Sequence, residues 1–202
     1  MVDFTTDWFS MNIHDIRRSL QRFSEVNGDR PVTSLLEIGS WEGRSATWFL
    51  ENLPSVHMTC VDTFEGGGGA DYSAFHQLPE VERRFRENTA KYADRVTIRK
   101  GKSDEVLFGL EPASFDVAYV DASHHASDVL SDIVMSWNLL KPGGVMLMDD
   151  YAYNKELMDH GAPWLEVVQN CPAAAIDAFV KLNPERLEVL TSGHQYHVLK
   201  KL

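Results

Sequence analysis

Ser34-Leu35-Leu36-Glu37-Ile38-Gly39-Ser40-Trp41-Glu42-Gly43-Arg44-Ser45 is the stretch whose reading decides the fold of this chain. Leu35, Leu36 and Ile38 make the short apolar run of a buried strand. Gly39 and Gly43 let the backbone turn tightly and approach a ligand with no Cβ in the way. A helix opens next, so the stretch reads as strand, turn and helix. Such a turn sets backbone N–H groups and a helix N-terminus beside whatever rests above the strand, which favours a carboxylate or other anionic group. The spacing is Glu-x-Gly-x-x-x-Gly rather than Gly-x-Gly-x-x-Gly. A fixed acid two residues before the first glycine repels a pyrophosphate lying on the turn.

Outward from this stretch the chain alternates strand and helix patterns. Asn12 is placed to cap a helix with Ile13, Ile16, Leu20 and Phe23 on one face. After the first strand and its helix comes Val56 to Asp62, a second strand ending in an acid. The glycine run Gly66 to Gly69 reads as a mobile gating loop or a linker, and Asp71 to His76 as a source of substrate contacts. Pro79 opens an amphipathic helix. Arg95 to Lys100 is a third strand, with Ser103 as N-cap of the next helix. Phe115 to Val120 is a fourth, emptying into Asp121-Ala122-Ser123-His124-His125. Lys141-Pro142-Gly143-Gly144 reads as a turn into a fifth strand, Val145 to Met148, which ends in Asp149-Asp150. Five such alternations call for right-handed crossovers and a parallel sheet. Leu187 to Leu190 and Gln195 to Lys200, joined at Ser192-Gly193, must pair antiparallel.

The 202 residues suffice for one sizeable core. The reading divides them into an N-terminal helical extension or lid over residues 1–30 and one ligand-binding domain over 31–202. A net charge of −11 gives no electrostatic reason to seek nucleic acid or an anionic membrane, so a small-molecule partner is expected. The acidic start Met1 to Asp7 lacks a basic region followed by an apolar one, and no stretch approaches a membrane span, which reads as cytoplasmic. Cys60 and Cys171 have no metal or redox spacing.

Together these motifs resemble the class I methyltransferases, in particular the small stand-alone type beside the macrocin and cephamycin O-methyltransferases. The likeness runs from Leu35 to about Lys200. It includes Glu37-Ile38-Gly39, Asp62, Phe115 to Asp121, Leu140-Lys141-Pro142-Gly143-Gly144 and Asp149-Asp150-Tyr151. It implies a doubly wound α/β fold with a mostly parallel seven-stranded sheet and a C-terminal antiparallel hairpin. It also implies S-adenosylmethionine as cofactor. Glu37, Gly39 and Gly43 then stand at its amino-acid end, Asp62 at the ribose and Ser103 beside the adenine, with Ser40, Trp41, Thr63 and Asp121 also on the cofactor. Trp41 stands where relatives often have a smaller residue, and roofing the site is the alternative for it. The zwitterion suits the turn: its carboxylate meets the N–H groups while its ammonium meets Glu37.

The sulfonium is already activated, so the protein has to align a nucleophile and take its proton. Two arrangements do this. Asp121, Asp149 and Asp150, at the ends of neighbouring strands, converge on Mg²⁺; or His124 or His125 acts as general base, with Asp121 beside it. The expected reaction is O-methylation of a small-molecule or sugar hydroxyl, by a monomer or a homodimer. A Rossmann oxidoreductase using NAD and a non-catalytic S-adenosylmethionine-binding module are the readings held against it.

Overall fold

The computed structural model describes residues 2–66 and 78–202. Gly67–Gly69 of the glycine run and the stretch Asp71 to His76 lie outside the described residues.

Each apolar run forms its strand. These are β1 (Ser34–Ile38), β2 (His57–Asp62), β3 (Val96–Lys100), β4 (Phe115–Val120), β5 (Leu140–Met148), β6 (Leu187–Ser192) and β7 (Tyr196–Lys200). They join in one sheet of order β3-β2-β1-β4-β5-β7-β6. The first five run parallel, while β7 is antiparallel to both β5 and β6. Strand order reverses between β1 and β4, the point where a crevice opens at the carboxyl ends of a doubly wound sheet. Every residue of β4 is buried, as a central strand covered on both faces requires.

The helices cover those faces. They are α1 (Ile13–Val26), α2 (Arg44–Asn52), α3 (Leu78–Thr89), α4 (Ser103–Leu107), α5 (Ala126–Leu139), α6 (Tyr153–Asp159), α7 (Trp164–Gln169) and α8 (Pro172–Leu182). Ile16 and Phe23 of α1, Phe49 of α2 and Phe85 of α3 share one core with Leu35, Tyr119 and Leu147. Ile133 and Trp137 of α5 share the other with Ile176 and Phe179 of α8 and the opposite side chains of the sheet. Among the described residues no helix is long and apolar enough to cross a membrane.

Three local expectations are corrected. β5 starts at Leu140, because Lys141 to Gly144 form a bulge in the pairing with β4 rather than a turn before it. Asn12 stands at the N-cap of α1, yet its side chain makes no cap bond and turns instead toward Asp149. Lys102, not Ser103, occupies the N-cap of α4, and no side chain caps that helix.

The edge of the sheet opposite the crevice is tied by Asp116. Its carboxylate accepts the N–H groups of Thr33 (2.8 Å) and Ser34 (3.1 Å) and ion-pairs with Arg30 (2.9 Å) and Lys141 (3.0 Å). Burial raises its pKa, but the Thr33 N–H, Lys141 and Arg30 outweigh burial and bring it down to about 2. A depressed folded pKa stabilises the protein above the unfolded value and ceases to do so as pH falls through the folded one. Thermal melts are therefore expected to show this contribution intact above pH 4 and fading toward pH 2. Asp116→Ala should cost about 3 kcal/mol at pH 7 by leaving Arg30, Lys141 and two backbone donors short of an acceptor.

Candidate active site

The loops after β1 and β4 touch, and Gly39 is what permits it. Its φ is +85°, and a Cβ there would lie 2.0 Å from the carbonyl oxygen of Asp121. Gly43, at φ +81°, begins α2 where a Cβ would press on the Phe85 ring at 3.0 Å.

Asp62 closes the β1 loop from the other side. One carboxylate oxygen accepts the N–H groups of Ser40 (2.7 Å) and Trp41 (2.8 Å), and the other that of Phe64 (2.6 Å). Gly39 gives its N–H to Val61 (2.9 Å). The N–H groups of Gly39, Ser40 and Trp41 are thus engaged within the chain, and Asp62 clamps this turn. Glu37 sits in β1 just before this turn. It is fully buried and lies below the floor of the cavity, receiving the Ser45 hydroxyl at 2.7 Å. Burial pushes its carboxyl up to about 7, against the hydrogen bond from Ser45.

Above these loops a cavity of about 1010 Å³ runs along the strand tips. Gly39, Ser40, Trp41, Asp62 and Thr63 line its middle. Lys102, Ser103 and the buried Asp132 line the end toward β3, where burial raises the Asp132 carboxyl to about 6 against the Ser103 hydroxyl. Asp121, His124, His125, Asp149, Asp150, Tyr153 and His194 line the end toward β5.

At that end the acids crowd one another. Burial, then the charge of Asp150, raises Asp149 to about 6. Burial and the charges of Asp149 and Asp150 raise Asp121 well above the usual carboxylate range. Asp149 is held by donors: the Tyr119 hydroxyl, the Gln195 amide at 2.6 Å, Asn12 at 3.3 Å and the N–H of Asp150 at 2.9 Å. Behind Gln195 lies His197, whose Nε2 is 2.7 Å from the Gln195 carbonyl oxygen and whose Nδ1 is 2.8 Å from the Ser19 hydroxyl. The two histidines of the β4 loop part company. His124 stacks on Tyr153 with ring centroids 3.9 Å apart and sets Nε2 2.9 Å from Asp150. His125 is the N-cap residue of α5, with its N–H given to Ser123.

Among the described residues, the group whose ligand atoms all lie within 4.8 Å of one another is Asp149, Asp150 and His194. Asp121 lines the same cavity but does not complete that group.

Residues 36–151, from β1 through the Asp149-Asp150 pair, match the family model described as a methyltransferase domain. The chain belongs to that family. An O-methyltransferase of Aspergillus hancockii, hkm8, is 27% identical over 157 residues, covering 76% of this chain and 56% of its own length. An uncharacterised protein of Acanthamoeba polyphaga mimivirus, R132, is 21% identical over 150 residues, covering 71% and 60% respectively. The chain therefore spans somewhat over half the length of these relatives. An O-methyltransferase from Bacillus cereus, solved with S-adenosylhomocysteine, superposes with a TM-score of 0.62 at 19% identity over 98% of this chain and 84% of that one. At such identity the likeness speaks for the fold.

In this methyltransferase domain, the residues that sequence reasoning missed at the β5 end are Asn12, Tyr119, His194, Gln195 and His197. The hairpin register carried a signal. With Met148 opposite Tyr196, the antiparallel pairing continued past the strand end sets Gln195 opposite Asp149 and His194 opposite Asp150.

A group whose folded pKa is raised opposes folding once pH exceeds its unfolded value, and the penalty is complete above the folded one. Glu37→Gln is therefore expected to leave thermal stability unchanged at pH 4.5 and to raise it above wild type at pH 8, by roughly 2–3 kcal/mol. Equal melting temperatures at pH 8 would contradict a buried, high-pKa Glu37. Gly39→Ala should abolish the cooperative melt or lower it by more than 10 °C, a shift of about 2.5–5 kcal/mol for a chain of this size, since no flexible side chain can yield.

Proposed function

We propose that this chain transfers a methyl group from S-adenosylmethionine to an oxygen of a small-molecule acceptor. The observation that carries this reading is the continuity of one cavity. It joins the Gly39–Asp62 turns, within the matched methyltransferase segment, to the acid and histidine end of β4 and β5. The sulfonium and ammonium of the cofactor suit a cavity whose lining is rich in carboxylates. The cofactor complex of the Bacillus cereus neighbour supports the same choice.

In this reading Thr63 and the outward lone pairs of Asp62 receive the ribose, and Ser103 and Lys102 flank the base. Gly39, Ser40 and Trp41 form the shelf beneath the amino-acid part, and Glu37 supports that shelf from below. Displacement makes a bond from the acceptor oxygen to the methyl carbon and breaks the carbon–sulfur bond, leaving a neutral thioether. The hydroxyl proton goes to His124. In this reading Asp150 accepts from His124 Nε2, which leaves Nδ1 to take the proton. Tyr153 holds the ring flat.

The residues also fit a divalent cation. Two carboxylates and an imidazole converge, and the mutual repulsion that raises Asp149 is relieved by positive charge. Asp149, Asp150 and His194 would hold it, with Asp121 outside the group. Bound there, a cation such as Mg²⁺ supplies Lewis acidity that lowers the pKa of an acceptor hydroxyl. The net charge of −11 supports a small acceptor over nucleic acid.

Calorimetry with S-adenosylhomocysteine and with NAD tests the reading directly. Heat with the former and none with the latter is expected; silence with both would sink it. Asp62→Ala should weaken S-adenosylhomocysteine by at least about tenfold, the loss of a charged hydrogen bond. Asp149→Asn should leave that affinity within about threefold and impair transfer. Transfer that survives both Asp149→Asn and EDTA would remove the cation.

A further inference from the structure

The N-terminal segment crosses the cavity mouth as a strap tied at both ends. The Thr5 N–H and hydroxyl bind the buried Glu42 carboxylate at 2.6 and 2.9 Å, with Arg84 on the same carboxylate at 2.9 Å. Asp3 and Asn88 exchange a pair of hydrogen bonds. At the far end Phe9 is buried against Trp48, Phe49 and Tyr119, and Asn12 reaches Asp149. Between these ties two large apolar side chains stay in the open: Trp8 is 52% and Met11 71% exposed, and both line the cavity. Trp8 leans on Trp41 at 6.1 Å and 41°, and Trp41 itself adopts φ +46°, a costly conformation for a bulky residue. The Tyr153–His124 stack supplies a second aromatic surface at the β5 end of the same cavity.

The charge of the lining is one-sided. Asp7, Asp149, Asp150 and Glu166 line it around the strap and the β5 end. Its described Lys and Arg residues are Lys102, beside Ser103 at the β3 end, and Arg44, which is engaged with Asp7 and Ser10. Residues 67–77 contain neither Lys nor Arg. With Arg44 engaged by Asp7 and Ser10 and Lys102 at the far β3 end, an anionic acceptor tested with no added divalent cation would meet carboxylates beside the strap and no described Lys or Arg free to pair with it there, a repulsion that discriminates by charge.

We propose that Trp8 and Met11 form the acceptor wall of this site and that the acceptor is a planar hydroxylated ring carrying no negative charge. The proposal rests on the methyl-transfer reading given above. Stacking on the exposed indole selects the ring, and the acidic lining excludes carboxylate- or phosphate-bearing molecules of the same shape.

Three catechols with one ring and arms of similar length separate the terms: 4-ethylcatechol (neutral), dopamine (cationic) and 3,4-dihydroxyphenylacetate (anionic). Their affinities are measured by calorimetry on the full chain saturated with S-adenosylhomocysteine. The neutral and cationic probes are expected to bind at least about tenfold tighter than the anion, and the gap between cation and anion should narrow at high salt. Trp8→Ala should weaken the two tighter probes by about tenfold with S-adenosylhomocysteine affinity within about threefold of wild type. Glu166→Lys should tighten the anion by about threefold or more, a gain that misfolding cannot mimic. Equal affinity for the anion, indifference to Trp8→Ala, or no binding of any probe would each overturn the proposal. In the last case the heat of S-adenosylhomocysteine binding still stands for the cofactor reading, whereas its absence would fell that reading first.

Discussion

Everything at the ligand end of this sheet depends on one close approach, the bare Cα of Gly39 against the backbone of Asp121. Where strand order reverses, two loops leave adjacent parallel strands and would ordinarily splay to make a crevice. Here they touch, so the crevice has a closed floor and the cavity lies along the tips of the strands. The clamp of Asp62 on the N–H groups of Ser40 and Trp41 follows from that contact. A turn pressed from the β4 side can be held only from the β2 side, and Asp62 is the group at that strand end. The turn is shaped by its own chain before any ligand arrives, which spares the ordering cost that a flexible loop would charge against binding.

The two ends of the cavity are built by different means. The end toward β3 follows from strand–loop–helix units, each local in sequence. The end toward β5 is assembled from an antiparallel strand, a helix face and the N-terminal strap. Asp149 is the centre of that assembly. Its four donors come from β4, the hairpin, the strap and its own loop, and together they favour an ionised carboxylate that burial and Asp150 oppose. His197 makes the orientation of Gln195 definite. Burial lowers its pKa to about 4, so it stays neutral at working pH. With the amide nitrogen of Gln195 turned to a carboxylate, its oxygen faces His197, whose Nε2 must carry the proton while Nδ1 accepts from Ser19.

That contrast explains what could be read in the sequence. Asp62, Asp121, Asp149 and Asp150 were legible because an acid ending an apolar run lies at the crevice whatever else the chain does. Gly39 was legible because only its type fits such a turn. The depth of Glu37 was not, since one residue of strand alternation separates a side chain facing the ligand from one facing the helix layer. Ser103 and Asn12 have the composition of helix caps, yet a buried acid nearby, Asp132 or Asp149, competes for each. His194 and Gln195 required the register of β7 on β5, a long-range fact that no local pattern encodes.

The ties of the strap have a kinetic meaning. Asn12 meets a partner 137 positions away in the chain, and Asp3 one 85 positions away. The Asn12 tie needs the end of β5 in place, whereas the Asp3 tie needs only the helix that bears Asn88. None of these ties is a ladder bond of the sheet, so the span bearing Trp8 can open as a local event, at less cost than unfolding.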